Sequence, residues 1–258
     1  MTLFRKLQLL GIAVLLLGCA AGAQSKRRQD PPLPTTPPRN DCLGYAQHPD
    51  LRPTSGEDRP VPTVTFRLEM PTFEPSYYGI AVESTGPAAY VSEPRVTPDS
   101  APGEPYMVKF TMSEATRQRI FELARAANFF QGDFDYKKGR VANTGTKTLS
   151  YADGSRCNQT TYNWSERPEI QQLTTLFQTV SNTLEFGRRL AYLHRFDKLG
   201  LDAELKSMEE EAKSENLGEL QVVEPVLKSI AEDHAVMNLA RARAERLLAR
   251  VHPPAPTQ

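Results

Sequence analysis

The spacing of apolar residues changes at Pro168 from a mainly strand-like to a continuously helical pattern, and this change restricts the fold more than any other feature of the sequence. Before Pro168, apolar and polar side chains alternate with the period of two that is typical of strands, as in VTFRLEM at 64–70. After Pro168, apolar residues recur every three or four positions, which indicates helices that pack through one face. We therefore expect an α+β protein, with a sheet first and helices second.

Residues 63–164 are predicted to form an antiparallel sheet with one packed helix. Strands are expected over 64–70, 77–84, 88–92, 106–112, 146–151 and 155–163. Ser113 is a suitable N-cap for a helix that continues to Ala127. The last two strands are joined at Asp153-Gly154, a pair of residues that favours a tight hairpin turn.

Residues 165–251 are predicted to form a helical C-terminal extension. Pro168 suits the first position of a helix, and the apolar stripe that follows it continues to the neighbourhood of Gly200. Two further helices are expected over 202–215 and 225–251, the last with one continuous apolar face. Residues 252–258 are predicted to be a disordered tail.

The first 23 residues predict a secretory signal peptide. Arg5 and Lys6 precede an apolar run that is shorter than the roughly 20 residues of a membrane-spanning helix. The sequence is compatible with two alternative cleavage sites. Ala21-Gly22-Ala23 suits ordinary signal peptidase, which would release a soluble protein, whereas Leu16-Leu17-Gly18-Cys19 resembles the lipobox of bacterial lipoproteins, in which Cys19 is lipidated.

Residues 24–62 predict a disordered, proline-rich spacer. PPLPTTPP at 31–38 and further prolines up to Pro62 favour extended polyproline II, and the few apolar residues cannot form a core. Such a spacer would hold a domain away from a membrane. It therefore favours lipidation of Cys19 over release.

The remaining cysteines, Cys42 and Cys157, are an even pair in a chain predicted to be exported. In an oxidising compartment they could form a disulfide between the spacer and a strand. The alternative is two unpaired thiols.

No motif in the sequence predicts a catalytic, cofactor or metal site. NTGTKT at 143–148 lacks the spacing of a phosphate-binding loop, and lysines follow the acidic pair of GDFDYKKG at 132–139. The histidines lack zinc-site spacing. The formal net charge is zero and ARARAERLLAR at 240–250 is the only basic cluster, so we expect no nucleic-acid binding.

Aromatic residues are concentrated in the predicted sheet domain. Most should lie in its core, but Phe73, Tyr77, Tyr78 and Tyr136 would form a surface for a protein or glycan partner if several of them are exposed.

The stretch TFEPSYYGIAVESTGPAAYV, a helix ending in Phe129-Phe130, and then Tyr136 and Asn143-Thr144 before a hairpin resemble a domain-of-unknown-function family of exported bacterial proteins and lipoproteins. The resemblance covers residues 63–164. This chain lacks the cysteines that the family has at the start of the strand, and it has Asn143 where the family has an acidic residue. The resemblance implies export and carries no known activity.

Taken together, these patterns predict an exported, lipid-anchored protein of the bacterial envelope, on the periplasmic side of a membrane, or a soluble periplasmic or secreted protein if Cys19 is not modified. We expect a non-enzymatic module that binds an envelope protein or polymer. One alternative is a hydrolase of peptides, glycans or esters that uses polar residues of the 132–145 loop. The other is a structural protein that self-associates through its C-terminal helices, along the apolar strip of 225–251.

Overall fold

The computed structural model describes residues 41–54, 60–96 and 103–251. All of them belong to one unit, Pro37–Gln258. The predicted signal peptide, the lipidation site Cys19, the first part of the spacer and the tail at 252–258 lie outside the described residues. Within the described ranges, no helix is both long enough and apolar enough to cross a membrane.

The fold is α+β, as the sequence predicts, and its sheet has six antiparallel strands in the order β4-β3-β2-β1-β5-β6. The strands are β1 (Thr63–Glu69), β2 (Tyr77–Glu83), β3 (Pro87–Glu93), β4 (Tyr106–Thr111), β5 (Thr146–Ala152) and β6 (Cys157–Tyr162). The helices are α1 (Glu114–Ala126), α2 (Pro168–Phe196), α3 (Leu201–Lys213), α4 (Glu224–Glu232) and α5 (Asn238–Val251). Because β1 pairs with both β2 and β5, the chain leaves one edge of the sheet at β4 and returns through α1 beside β1.

One face of the sheet packs on helices. Alternate strand residues such as Phe66, Ile80 and Leu149 are fully buried there against α1 and the first half of α2. Phe66 of β1 stacks on Phe177 of α2 with ring centroids 5.2 Å apart. The first half of α2 therefore completes the core of the sheet, although the sequence pattern assigns this helix to a C-terminal extension.

The other face of the sheet is covered by residues 41–54, which we call the N-terminal strap. Leu51 of the strap is fully buried over Gly79, where a Cβ would lie only 2.8 Å from the leucine side chain. Thr54 donates a hydrogen bond of 2.7 Å to Glu83. The spacer predicted over 24–62 is therefore wrong for 41–54. Thr65, a polar residue of β1, is also fully buried.

The second half of α2 forms a separate core with α3, α4 and α5. Leu190, Leu205, Ile230 and Leu247 are fully buried in it. Most of the apolar strip predicted along 225–251 thus faces the protein's own helices, which leaves little of it for self-association.

The single helix predicted over 225–251 is wrong, because the chain breaks at Asp233 between α4 and α5. Asp233 is extended, and its carboxylate accepts hydrogen bonds from the backbone N–H of Ala235 and from Lys198. It also pairs with His194 at 2.9 Å. These contacts with the end of α2 stabilise a turn that the apolar periodicity alone does not indicate.

Candidate functional site

The four aromatic residues predicted as a partner surface are not all exposed. Tyr77 and Tyr78 are only 6% and 7% exposed, because successive residues of β2 point to opposite faces and both faces are covered. Tyr77 stacks under His48 of the strap with centroids 4.1 Å apart, and Tyr78 lies in the helix-side core. Phe73 is 59% exposed, while Tyr136 is half-buried and packs edge-on against Trp164.

The structure joins Cys42 and Cys157 in a disulfide, with their Cα atoms 5.7 Å apart. The backbone N–H of Cys42 also lies 3.2 Å from the sulfur of Cys157. The bond attaches the start of the strap to the first residue of the edge strand β6.

A concave feature in the described residues lies along α2, and we call it the α2 groove. It has two compartments of about 530 and 410 Å³, both of which are lined by Thr144 and Gln178. One wall is α2, and the other is made by the loops that follow β1, precede β5 and follow β6. The first compartment is lined by Leu68, Met70, Phe73, Glu74, Pro75, Tyr78, Asn143, Ser181, Asn182, Glu185, Phe186 and Arg189 besides the shared pair. The second is lined by Lys147, Tyr162, Asn163, Trp164, Ser165, Ile170, Gln171, Thr174 and Thr175 besides the same pair.

A buried polar network borders the first compartment. The carboxylate of Glu185 accepts hydrogen bonds from Tyr90 (2.9 Å) and Ser92 (2.7 Å) of β3, and it pairs with Arg188 at 2.8 Å. The hydroxyls of Tyr90 and Ser181 lie 3.1 Å apart. Burial, followed by the nearby Glu185 carboxylate, raises the pKa of Tyr90 well above its ordinary value. Tyr90 is therefore a protonated donor to Glu185.

Lys147 shapes the second compartment. Its side chain is buried, and its ammonium group donates to the carbonyl oxygens of Thr144 (3.0 Å), Gly145 (3.2 Å) and Asn163 (2.8 Å), and to the Thr144 hydroxyl (2.8 Å). Burial lowers the pKa of Lys147. Among the described residues no carboxylate pairs with it. The amine therefore ties the loop before β5 to the end of β6, and its hydrogens are taken by these acceptors.

Three carboxamides line the first compartment. Asn182 donates one hydrogen bond of 3.3 Å to the carbonyl of Asn216, and Asn143 accepts one of 3.0 Å from Gly145. Gln178, which both compartments share, is half-buried, and its side chain forms no hydrogen bond with any other described residue. Its donor and acceptor are available to a ligand.

The described lining of the groove contains serine and threonine hydroxyls but neither histidine nor cysteine. Ser181 lies beside Tyr90, and a phenol with a raised pKa is a poor general base at neutral pH. Among the described residues, no group of three or more histidine, cysteine, aspartate or glutamate side chains is placed to hold a metal ion.

The sequence indicated part of this site. Asn143 and Thr144 belong to the 132–145 loop that the hydrolase alternative singled out, and both lie in the groove. The contribution of α2 was missed. A signal was present in Ser181 and Glu185, polar residues one turn apart on the buried face of an otherwise apolar stripe.

No family model and no curated protein matches this chain. The resemblance to an exported family of unknown function therefore stays a prediction from the residues.

Proposed function

We propose that the chain is an exported, lipid-anchored, non-enzymatic binding module that holds a segment of an envelope protein or polymer in the α2 groove. The observation that carries the proposal is the combination of an open apolar compartment with the unpartnered Gln178 carboxamide at its junction with the second compartment. Such sites, mostly apolar with a few convergent polar groups, are typical of ligand binding.

The rival hydrolase has less support in the groove. Hydrolysis by a serine or threonine nucleophile needs a base within hydrogen-bond reach of the hydroxyl. Ser181 has a protonated phenol in that place, and Lys147, the nearest amine to Thr144, is already surrounded by carbonyl oxygens. These contacts favour a groove that binds and does not cleave.

The test uses the side-chain NH₂ signals of Asn143, Gln178 and Asn182 in nitrogen-15 spectra of the folded protein. We expect pooled soluble envelope peptides or pooled glycan fragments to shift these signals. Gln178→Arg places a long cation at the junction of the compartments and should abolish the shifts of the two remaining carboxamides. Leu199→Arg puts the same cation at an exposed position outside the groove, and the ligand should still shift all three side-chain signals in this variant. If neither pool moves the signals, the proposal is wrong.

A further inference from the structure

We propose that the occupant of the α2 groove is an extended, uncharged peptide segment with one apolar anchor side chain. This inference rests on the proposed binding function and names the ligand class. Two properties of the groove favour a peptide over a glycan: an apolar recess and the spacing of the carboxamides along α2. The pairing of the charges around them favours an uncharged segment.

The recess lies in the first compartment. Leu68, Met70 and Phe186 line it, and the exposed ring of Phe73 lies at the same compartment. A leucine or phenylalanine side chain would bury apolar surface here with no polar group to satisfy. A sugar ring carries hydroxyls around its whole rim, and those that face the apolar atoms of the recess would lose hydration without gaining partners.

The carboxamides of α2 match the repeat of an extended chain. Gln178 and Asn182 are four residues apart, which separates them by about 6 Å along the helix axis. Alternate residues of an extended peptide are separated by about 6.6 Å. Each carboxamide offers both a donor and an acceptor, as does each peptide unit. Two peptide units on the same side of a strand can therefore pair with Gln178 and Asn182 in turn.

The charges around the groove are already paired. Glu185 pairs with Arg188 at 2.8 Å, and Arg189 pairs with Glu204 at 2.6 Å while its guanidinium lies 4.5 Å from the ring centroid of Phe186. Lys147 is enclosed by carbonyl oxygens. A charged ligand segment would have to compete with these contacts, so the groove favours a neutral one.

The experiment compares two defined probes against the full mature protein. The first is a library of acetylated, amidated heptapeptides with leucine or phenylalanine at the central position and alanine, serine, threonine or asparagine elsewhere. The second is a chitohexaose glycan. We expect the peptide library, and not the glycan, to shift the side-chain signals of Gln178 and Asn182. For the best binder, replacing its central residue by alanine should weaken binding at least tenfold.

A matched pair of variants tests the anchor. Phe73→Ala should weaken the binding of the leucine or phenylalanine peptide several-fold and leave the binding of its alanine counterpart little changed. Tyr192→Ala removes an equally exposed aromatic ring outside the groove and should change the binding of neither peptide. Shifts with the glycan alone would overturn the peptide assignment and leave the binding function standing. The absence of shifts with both probes and with the envelope pools would overturn both.

Discussion

Tyr90 of β3 and Glu185 of α2 are joined by a hydrogen bond of 2.9 Å that connects the sheet to the longest helix. Both side chains are buried, and the same carboxylate also accepts from Ser92 and pairs with Arg188. The bond therefore lies at the centre of a polar cluster inside an apolar core. It also fixes the wall of the α2 groove to the sheet beneath it.

Replacing Glu185 should destabilise the protein strongly. Glu185→Ala removes the carboxylate acceptor of two buried hydroxyls and one of the two carboxylates that pair with Arg188, and we expect a loss of about 3 kcal/mol in the free energy of unfolding. Glu185→Gln keeps one oxygen acceptor and should cost less. Glu166→Ala removes the exposed pair with Lys138, which solvent screens, and should cost much less than Glu185→Ala. Urea denaturation measures all three. Equal effects of the alanine variants would contradict the role of the cluster.

Reduction of the disulfide should loosen the strap and destabilise the fold. Cys42 and Cys157 are 115 residues apart, so the loop-entropy model gives a contribution of about 4–5 kcal/mol. We expect the denaturation midpoint to fall when reductant is added. The double variant Cys42→Ser/Cys157→Ser should have this lower midpoint both with and without reductant. Hydrogen exchange of the strap amides should accelerate in both cases. Two free thiols in mass spectra of the non-reduced mature protein would rule out the bond.

The protein should unfold cooperatively above about pH 10. Burial raises the pKa of seven phenols above their ordinary value near 10: Tyr45, Tyr77, Tyr78, Tyr90, Tyr106, Tyr151 and Tyr162. A group whose pKa is higher in the folded state contributes stability that is complete below its unfolded pKa and is lost as the pH rises through the folded one. Phenolate absorbance at 295 nm should therefore rise together with the loss of circular dichroism. Complete titration of all tyrosines while the fold persists would contradict this burial.

The N-terminus of the protein isolated from its native envelope should begin at a lipidated Cys19. Intact-mass analysis should show the added acyl mass, and Cys19→Ser should shift the protein from the membrane fraction to the soluble fraction. Cys42→Ser, which changes a cysteine without touching the lipobox, should leave the membrane fraction unchanged. An unmodified N-terminus at Gln24 would contradict the anchor and leave export as the prediction.

Local patterns in the sequence were sufficient to predict most of the sheet. The alternation from Val64 to Leu68 places these side chains in the core, and the turn at Gly154, with a φ of +85°, joins β5 and β6. These features depend on neighbours a few residues away. Ser113 likewise caps α1 through its side-chain oxygen.

Features that depend on distant residues could not be predicted in the same way. The strap is irregular, so the burial of Leu51 on Gly79 leaves no periodic pattern in the sequence. The break at Asp233 depends on His194 and Lys198, more than thirty residues earlier. The groove combines the loop at Thr144 with one face of α2, and only their packing on a common sheet brings them together.

The disulfide also determines how the folded chain would carry mechanical tension. A pull applied on the N-terminal side of Cys42 passes directly through the sulfur bridge to Cys157, at the start of β6. From there the covalent path continues through β6 into α2, the helix that forms one wall of the groove. Strands β1 to β5 lie within the bridged loop and are shielded from the force. A load between the N-terminal segment and α2 would therefore follow one edge strand and one helix along the covalent chain, without passing through the backbone of β1 to β5.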